Sequence, residues 1–395
     1  MPKTRHANAV RLEFSAGSLV HANLSGAAFT GDWLWVAGDE ACGLDRLRRL
    51  DPVGDELLRF GEVRDFPLAD LLDLPGAPDE EADLEGMAVV GDWLWVVGSH
   101  GLKRRNARPD RSDADNARRL AKVSLDSNRR LLARLPLEFD AQGVPSLVRE
   151  ASDGRRALRL KGDRQDNLLT LALAKDPHFG PYMALPGKDN GFDIEGLAVD
   201  GNRLLLGLRG PVLRGWSALL EIAVETRTDH LRLAPLDEQG TRIRKHFLQL
   251  DGLGIRDLHF SGDDLYILAG PTMVLNGDIR VFSGQVHGNT WRLTANPCAS
   301  RRRSPNRCRC PTGAAPTGPR RCATCPRPCA AVAHNGSCCT TRPAPTAATA
   351  SSRFLATCCA TRGPPSAAAS GRERLPPRPG SRCRRMRDPH LRFHG

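Results

Sequence analysis

The first 297 residues of this 395-residue chain contain one cysteine, Cys42, although the whole chain has 12. A lone cysteine excludes a disulfide framework in this part and is typical of a reducing compartment. No run of 18 apolar residues occurs anywhere in the chain, whereas a membrane-spanning helix needs about 20. The N-terminal residues also lack the apolar core of a signal peptide. We therefore predict a cytoplasmic protein without a membrane span.

Motifs of the common catalytic classes are missing as well. The chain has no glycine-rich phosphate loop, no Gly-x-Ser-x-Gly nucleophile elbow and no His-Glu-x-x-His zinc motif. Helical periodicity is scarce, and its clearest stretch, residues 164–175, is best explained as an insertion between repeats. Fold and function have to be inferred from the patterns that the chain repeats.

A strand-hairpin pattern occurs four times. Each copy opens on a small or acidic residue within a short apolar strand, and these residues are Gly26, Gly86, Gly196 and Asp257. A turn glycine follows five residues later, at Gly31, Gly91, Gly201 and Gly262. Glycine supplies the positive φ that tight hairpin turns require. The strands are apolar at most positions, including the pairs Trp33/Trp35 and Trp93/Trp95, which predicts burial on both faces of each sheet.

The spacing of the copies indicates the architecture. Their opening residues are 60, 110 and 61 residues apart. A period of roughly 50–60 residues built from strand hairpins is typical of propeller blades. The long middle interval fits two units with one degenerate copy. We predict an all-β fold, a β-propeller built from repeated hairpins and either closed or incomplete; a β-sandwich with coincidental internal similarity is the alternative.

The composition changes abruptly at residue 298. Residues 1–297 carry 38 Lys and Arg against 43 Asp and Glu, whereas residues 298–395 carry 19 Arg, two acids and 11 cysteines. A tail of this composition can bury too little apolar surface to offset roughly 1–2 kcal/mol of backbone ordering entropy per residue. We predict a propeller domain over 1–297 and a low-complexity tail over 298–395, disordered or translated out of frame; a zinc site at Cys322 and Cys325 is the alternative. An out-of-frame tail would deprive the propeller of its last strands and make it poorly soluble.

Charged residues accumulate where the repeated strands begin. The first strand of each propeller blade lines the central channel, so corresponding residues from different blades converge there. Carboxylates in this position would hold a hard divalent cation, Ca²⁺ or Mg²⁺, and arginines would hold an anion bidentately. The candidate metal ligands are Glu85, Asp193 and Glu195. The candidate ligand-binding residues are Asp193, Glu195, Arg209, Arg214, Arg256, Asp257, Glu85, His100 and Lys188.

Two other interpretations of these charges stay open. Acid and arginine pairs at strand ends also neutralise one another without any ligand. A catalytic site would use His100 or a glutamate as its general base. Arg209 and Arg214, which we expect to face Asp193 and Glu195, are the features that distinguish the third repeat from the other copies.

Five segments together resemble a known family. They are 193–198 (Asp-Ile-Glu-Gly-Leu-Ala), 207–216 (with Gly-Leu-Arg-Gly-Pro), 186–191, 98–100 and 254–258. In these the chain is similar to the bacterial domain-of-unknown-function family numbered 3616, over roughly residues 20–285. The resemblance implies a β-propeller-like fold and no established activity. Members of the family continue with ordered strands where this chain has its cysteine-rich tail, which agrees with a shifted reading frame.

Three functional hypotheses follow. The first is a propeller of unknown function that binds a small anionic ligand or a metal ion in its charged channel. The second is a metal-dependent phosphoesterase of the phytase-like kind, in which carboxylates hold the cation and arginines hold the phosphate. The third is a protein-interaction platform. The positive net charge of +12 arises in the tail, so we predict no specific nucleic-acid partner for the folded part.

Overall fold

The computed structural model describes residues 10–20, 23–51, 58–274, 276–287 and 290–296. Within these ranges β-strands dominate, helices are few and short, and four large sheets form a propeller-like arrangement. The predicted all-β propeller is thereby confirmed. No helix in the described ranges is long and apolar enough to cross a membrane. The predicted tail, residues 298–395, and the candidate zinc ligands within it lie outside these ranges.

Blade 1 contains five strands and a short helix. They are β1 (Val10–Leu12), β2 (Leu24–Thr30), β3 (Trp33–Gly38), β4 (Gly43–Leu50), β5 (Leu58–Pro67) and α1 (Leu68–Leu71). The sheet order is β1-β5-β4-β3-β2, with β1 parallel to β5 and the other pairs antiparallel. The repeated hairpin is therefore the innermost pair of the blade.

Blade 2 uses the same plan with insertions. Its elements are β6 (Leu84–Val90), β7 (Trp93–Gly98), β8 (Lys103–Arg104), α2 (Asp113–Ala121), β9 (Val123–Ser124), β10 (Leu132–Phe139), β11 (Pro145–Leu147), β12 (Leu158–Arg159) and α3 (Leu168–Leu173). The blade sheet has the order β11-β10-β7-β6 with β12 beside β10, and β8 pairs only with β9. The helix α3 lies within residues 164–175, between the strands of blades 2 and 3, as the helical periodicity predicts.

The degenerate repeat predicted between the second and third copies is absent. Residues 99–192 are all described, and their strands complete blade 2 or form the β8–β9 ribbon. The interval is long because blade 2 carries two helical insertions, not because it contains another blade. A spacing argument alone could not separate these cases, since both lengthen the interval by a similar amount.

Blades 3 and 4 complete the described propeller. Their strands are β13 (Asp193–Asp200), β14 (Arg203–Gly210), β15 (Trp216–Thr226), β16 (Leu231–Ala234), β17 (Ile243–Gln249), β18 (Gly254–Ser261), β19 (Asp264–Gly270), β20 (Arg280–His287) and β21 (Thr290–Asn296). In blade 3, β15 pairs with both β16 and β17, at different ends. The four hairpin turn glycines have φ between 55° and 59°, at Gly31, Gly91, Gly201 and Gly262, as predicted.

The blades pack through apolar layers between consecutive sheets. The first strands β2, β6, β13 and β18 contact one another in that order. Trp35 is fully buried in the layer between blades 1 and 2, and Trp95 is buried in the layer between blades 2 and 3. Leu205 takes the same repeat position in the layer between blades 3 and 4. The outer tryptophans are half-buried, and a guanidinium lies about 4.2–4.3 Å from each ring centroid, in the pairs Trp33–Arg46 and Trp93–Arg134.

The glycines that open the second and third copies have a packing role. A Cβ atom on Gly86 would lie 2.7 Å from the Cβ of Leu197 on the next inner strand, and one on Gly196 would lie 2.7 Å from the Cγ of Leu258. Real Cβ atoms do not approach other carbons this closely, so a larger residue would force the strands apart. The glycines therefore allow consecutive inner strands to meet at the channel.

Candidate functional site

Each inner strand begins with a β-bulge. The register shifts fall between Leu24 and Gly26, Leu84 and Gly86, Ile194 and Gly196, and Ile255 and Asp257. A bulge leaves one residue unpaired and re-aims its side chain. The bulged residues occupy one equivalent position in the four blades, and they are Ser25, Glu85, Glu195 and Arg256. The fold therefore collects four polar side chains, one from each blade, at one end of the inner strands.

Glu195 joins blades 3 and 4 through two arginines. Its side chain is fully buried; its Oε1 atom lies 2.9 Å from Nη1 of Arg209, and its Oε2 atom lies 2.7 Å from Nε of Arg256. Both guanidiniums also donate to backbone carbonyls of the segment after β19, at Thr272 and Pro271 respectively. Such a buried network is costly to disrupt, because a removed partner leaves an uncompensated charge.

Asp193 lies beside this network and is protonated unusually easily. Its Oδ2 atom is 3.6 Å from Nη1 of Arg209, and the backbone at Gly187 is so close that a Cβ there would be 2.6 Å from that oxygen. Burial, followed by the nearby carboxylate of Glu195, raises the pKa of Asp193 to about 7, and the charge of Asp83 acts in the same direction. The Arg209 guanidinium opposes this shift without cancelling it.

A second group of carboxylates lies between blades 1 and 2. One oxygen each from Asp39, Asp83 and Glu85 lies within 4.8 Å of the others. Asp83 and Glu85 are buried, and Asp39 is half-buried. Asp83 forms a salt bridge with Arg129, whose Nε also donates to the carbonyl oxygen of Gly101 at 3.0 Å. We call Asp39, Asp83 and Glu85 the acidic trio.

His100 has a structural environment. Its Nδ1 lies 2.8 Å from the carbonyl oxygen of Gly98, and its Nε2 lies 2.9 Å from Nδ2 of Asn167. Nδ1 must donate to the carbonyl, so Nε2 accepts from the amide. Burial lowers the pKa of His100 to about 4, and the ring is neutral near pH 7. Asn167 caps helix α3, so His100 attaches the loop after β7 to that helix and has no accessible nitrogen for a general base.

The structure does not bring the remaining candidates into the network of Glu195. Arg214 has φ 48° at the exposed tip of the turn between Leu213 and Trp216, and it forms no salt bridge with a described carboxylate. The expectation that it faces Asp193 and Glu195 is wrong, because the chain reverses there to begin β15. Lys188 is exposed in the 3-10 turn Gly187–Asp189. Asp257 is half-buried in β18 and accepts from the backbone N–H of Leu258 at 2.8 Å.

The predicted metal ligands do not form one set. Asp193 and Glu195 approach Arg209, whereas Glu85 belongs to the acidic trio. The sequence analysis missed Asp39, which directly follows the last residue of β3. Because Gly38 pairs with Leu24, the hairpin register alone places Asp39 beside the start of an inner strand. It also missed Arg129, which comes from a 3-10 helix between β9 and β10 and carries no signal in the sequence.

These features define a class: a β-propeller-like protein with four described blades, whose inner strands carry a buried cluster of acids and arginines at one end. The chain belongs to the family described as "Protein of unknown function (DUF3616)", whose family model matches residues 23–313. The match starts at the first inner strand and extends past the predicted boundary at residue 297. No curated protein matches the chain.

The solved structures that match the chain are distant from it in sequence. The chain is 13% identical to the PQQ-bound aldose sugar dehydrogenase of Streptomyces coelicolor, covering 71% of this chain and 82% of that chain with a TM-score of 0.28. It is 12% identical to YjhT, covering 70% and 84%, with a TM-score of 0.29. It is 12% identical to a sucrose complex of the Bombyx mori GH32 β-fructofuranosidase BmSUC1 mutant, covering 70% and 48%, with a TM-score of 0.27. At this distance the similarities carry no argument about function.

Proposed function

We propose that the protein binds a hard divalent cation through the acidic trio, with Asp193 as a proton-exchanging neighbour. The convergence of three carboxylate oxygens from two blades within 4.8 Å carries the proposal. Ca²⁺ binds oxygen at about 2.3–2.6 Å, so two oxygens on one ion lie at most about 5 Å apart. Oxygens within 4.8 Å of one another can share a Ca²⁺ ion. A Mg²⁺ ion, with bonds of about 2.0–2.1 Å, fits as well where the oxygens lie within about 4.2 Å.

Burial and charge support a cation at this position. Asp83 and Glu85 are 5% and 3% exposed, and crowded buried carboxylates are stable only when protons or cations accompany them. Arg129 provides one such cation to Asp83, and a carboxylate has enough lone pairs to accept from an arginine and bind a metal together. Burial and the carboxylate of Glu195 are the main causes of the raised pKa of Asp193, and the charge of Asp83 in the trio acts in the same direction.

A small anionic ligand is less well supported as the primary occupant. The guanidiniums of Arg209 and Arg256 already contact Glu195 and the carbonyl oxygens of Thr272 and Pro271. An anion would have to compete with these buried partners. The exposed Lys188 remains available at the rim, so an anionic group could follow the cation to the site.

Titration calorimetry with CaCl₂ and with MgCl₂ on the full chain tests this proposal. We expect a one-site isotherm for Ca²⁺, weakened at least tenfold by Asp39→Asn and by Glu85→Gln. Asp263→Asn is the matched control, because Asp263 is exposed in the hairpin turn of blade 4 and should leave binding unchanged. Absence of heat with both cations, or equal binding by Asp39→Asn and the parent chain, would reject the site.

The environment of Asp193 favours phosphate-ester hydrolysis as a second candidate function. A carboxyl group with a pKa of about 7 near a bound cation is suited to general acid–base catalysis at neutral pH. The test is release of nitrophenol from p-nitrophenyl phosphate. We expect turnover that requires the cation, is lost with a chelator and is lost in Asp193→Asn. Cation binding without turnover would leave the binding function and remove this one.

A third outcome of these tests would point to a protein partner. If neither cation binding nor turnover occurs and an affinity-purified chain retains a stoichiometric protein, the interaction platform becomes the better hypothesis. The cytoplasmic location stays a prediction that rests on the single cysteine before residue 298.

A further inference from the structure

A cavity opens at the junction between blades 2 and 3. It has a volume of about 370 Å³, within the range of about 300–1,000 Å³ that small-molecule sites occupy. One chain segment bridges the two blades here: Leu158 and Arg159 pair with β10, while Leu160 forms a parallel bridge with Leu231 of β16. The backbone N–H of Lys161 also donates to the carbonyl oxygen of Leu231 at 2.9 Å. Strand backbone from both blades therefore lies against the cavity, and loop residues such as Asp73, Arg149 and Asp229 complete its lining.

Positive charge dominates the lining. The basic side chains are Arg149, Arg156, Arg159, Lys161 and His230. The acidic ones are Asp73 and Asp229. Arg149 and Arg156 are exposed and form salt bridges with Asp73 and Glu150, so they contribute less than the other three to attracting an anion.

Arg159 is held in place by backbone oxygens. Its Nε donates to the carbonyl oxygen of Asp73 at 2.6 Å, and its Nη1 donates to that of Gly162 at 3.1 Å. Its Nη2 makes no hydrogen bond within the described part of the chain. Burial lowers the pKa of this guanidinium, as expected for a cation that would gain from an anionic neighbour. A fixed guanidinium with a remaining donor is well suited to recognise an oxyanion.

Lys161 adds a donor to the same cavity, and His230 adds a ring nitrogen. Lys161 is exposed and forms no salt bridge with a described carboxylate. The Nδ1 of His230 lies 2.7 Å from Oδ1 of Asp229, which orients the ring and leaves Nε2 for another partner. Leu71, Leu72 and Leu158 line the cavity beside these groups and offer apolar surface to the body of a ligand.

We infer that this junction cavity binds a small phosphate monoester, with Arg159, Lys161 and His230 on the phosphate and the leucine side chains on the organic part. The inference is independent of the proposed cation site, because the two share no residue. A ligand in the cavity would also link blades 2 and 3, so its binding should stabilise the folded chain.

Titration calorimetry of the full chain with inorganic phosphate and with glycerol 3-phosphate, at constant ionic strength, tests the inference. We expect both to bind, glycerol 3-phosphate more tightly, and both to raise the thermal midpoint. Lys161→Ala and His230→Gln should each weaken binding about tenfold or more. Neither residue is in the apolar core, and circular dichroism checks that the variants fold.

The matched control is Lys175→Ala, since Lys175 is another exposed lysine and does not line the cavity. It should bind as the parent chain does. An equal response to chloride at the same ionic strength would show screening rather than a site and would overturn the inference. Unchanged binding in Lys161→Ala would overturn it as well. Weaker binding of glycerol 3-phosphate than of inorganic phosphate would overturn the assignment to a monoester.

Discussion

The two ends of the inner strands differ in chemistry although the same repeated sequence builds both. At the end where the strands begin, three of the four bulged residues are charged, and salt bridges join one of them, Glu195, to two arginines. Farther along the same strands, a cavity of about 170 Å³ is lined mainly by apolar side chains from 27–29, 87–90, 197–199 and 258–260. The bulge separates the two halves: before it the register is broken, and after it regular pairing places apolar residues inward.

This difference shows how a repeat can conserve a scaffold and vary a site. The regular half needs the same small and apolar residues in every blade, because consecutive strands touch there. The bulged position is released from the hydrogen-bond ladder, so each blade can carry a different residue: a serine, two glutamates and an arginine. Substitutions at the two ends should therefore lower the free energy of unfolding by different amounts.

The largest effect is expected at the charged end, for Glu195→Gln. Glutamine removes the charge between Arg209 and Arg256 and leaves two guanidiniums without their shared partner. Breaking a buried ion pair costs about 3–5 kcal/mol, and urea unfolding would measure it. Glu225→Gln is the control, because Glu225 also joins two arginines but is 39% exposed; exposed pairs contribute up to about 1 kcal/mol. Equal losses in both variants would mean that burial does not decide the cost.

The next largest effect is a pH dependence of the free energy of unfolding, which arises from Asp193, the neighbour of Glu195. Its pKa rises from 3.8 to about 7 on folding, so the folded state retains a proton that the unfolded state loses above pH 4. Stability should therefore fall as pH rises from about 4 to 7. At about 1.4 kcal/mol per pKa unit, the loss is at most about 4 kcal/mol. Asp193→Asn should remove it.

The measurement is the free energy of unfolding at pH 5 and pH 8, without added cation, of the parent chain and of Asp193→Asn. The neutral His100 acts in the opposite direction: its pKa is lowered to about 4 in the folded state, so its contribution is lost as pH falls from about 6.5. This slope is common to both chains and cancels in the comparison. Identical pH profiles would show that Asp193 does not hold the proton. Added Ca²⁺ should favour the ionised carboxyl and release that proton on binding.

The sequence predicted the regular half of this comparison better than the bulged half. Hairpins, positive-φ turn glycines and the buried Trp35 and Trp95 follow from periodicity and turn chemistry, which are local. Glu195 and Arg209 are paired as expected, since they face each other across one hairpin. The partners Arg129 of Asp83 and Asn167 of His100 arrive from insertions whose course depends on tertiary packing. The sequence gives no information on that course.

At the regular end, Gly86→Ala should have an intermediate effect. The added Cβ would lie 2.7 Å from the Cβ of Leu197 and 2.8 Å from its backbone nitrogen, so neither neighbour can rotate away. Overpacking of this kind costs about 1–3 kcal/mol. Gly26→Ala is the matched variant at the same repeat position. There the nearest atom is the Cγ of Met87 at 3.1 Å, and a flexible methionine can adapt. Thermal unfolding should rank Gly86→Ala as the less stable variant; the reverse order would contradict the account of strand contact.

The smallest effect is expected for Ser25→Ala, since Ser25 is the neutral residue among the four equivalent bulges of the described inner strands. The hydroxyl of Ser25 donates to the carbonyl oxygen of Leu84 and joins blades 1 and 2, where Glu195 joins blades 3 and 4 with two ion pairs. A neutral hydrogen bond contributes about 0.5–1.5 kcal/mol, and alanine leaves no unpaired charge behind. Urea unfolding of Ser25→Ala and Glu195→Gln side by side therefore isolates the role of charge at one structural position. A loss for Ser25→Ala as large as that for Glu195→Gln would locate the sensitivity in the bulge geometry itself.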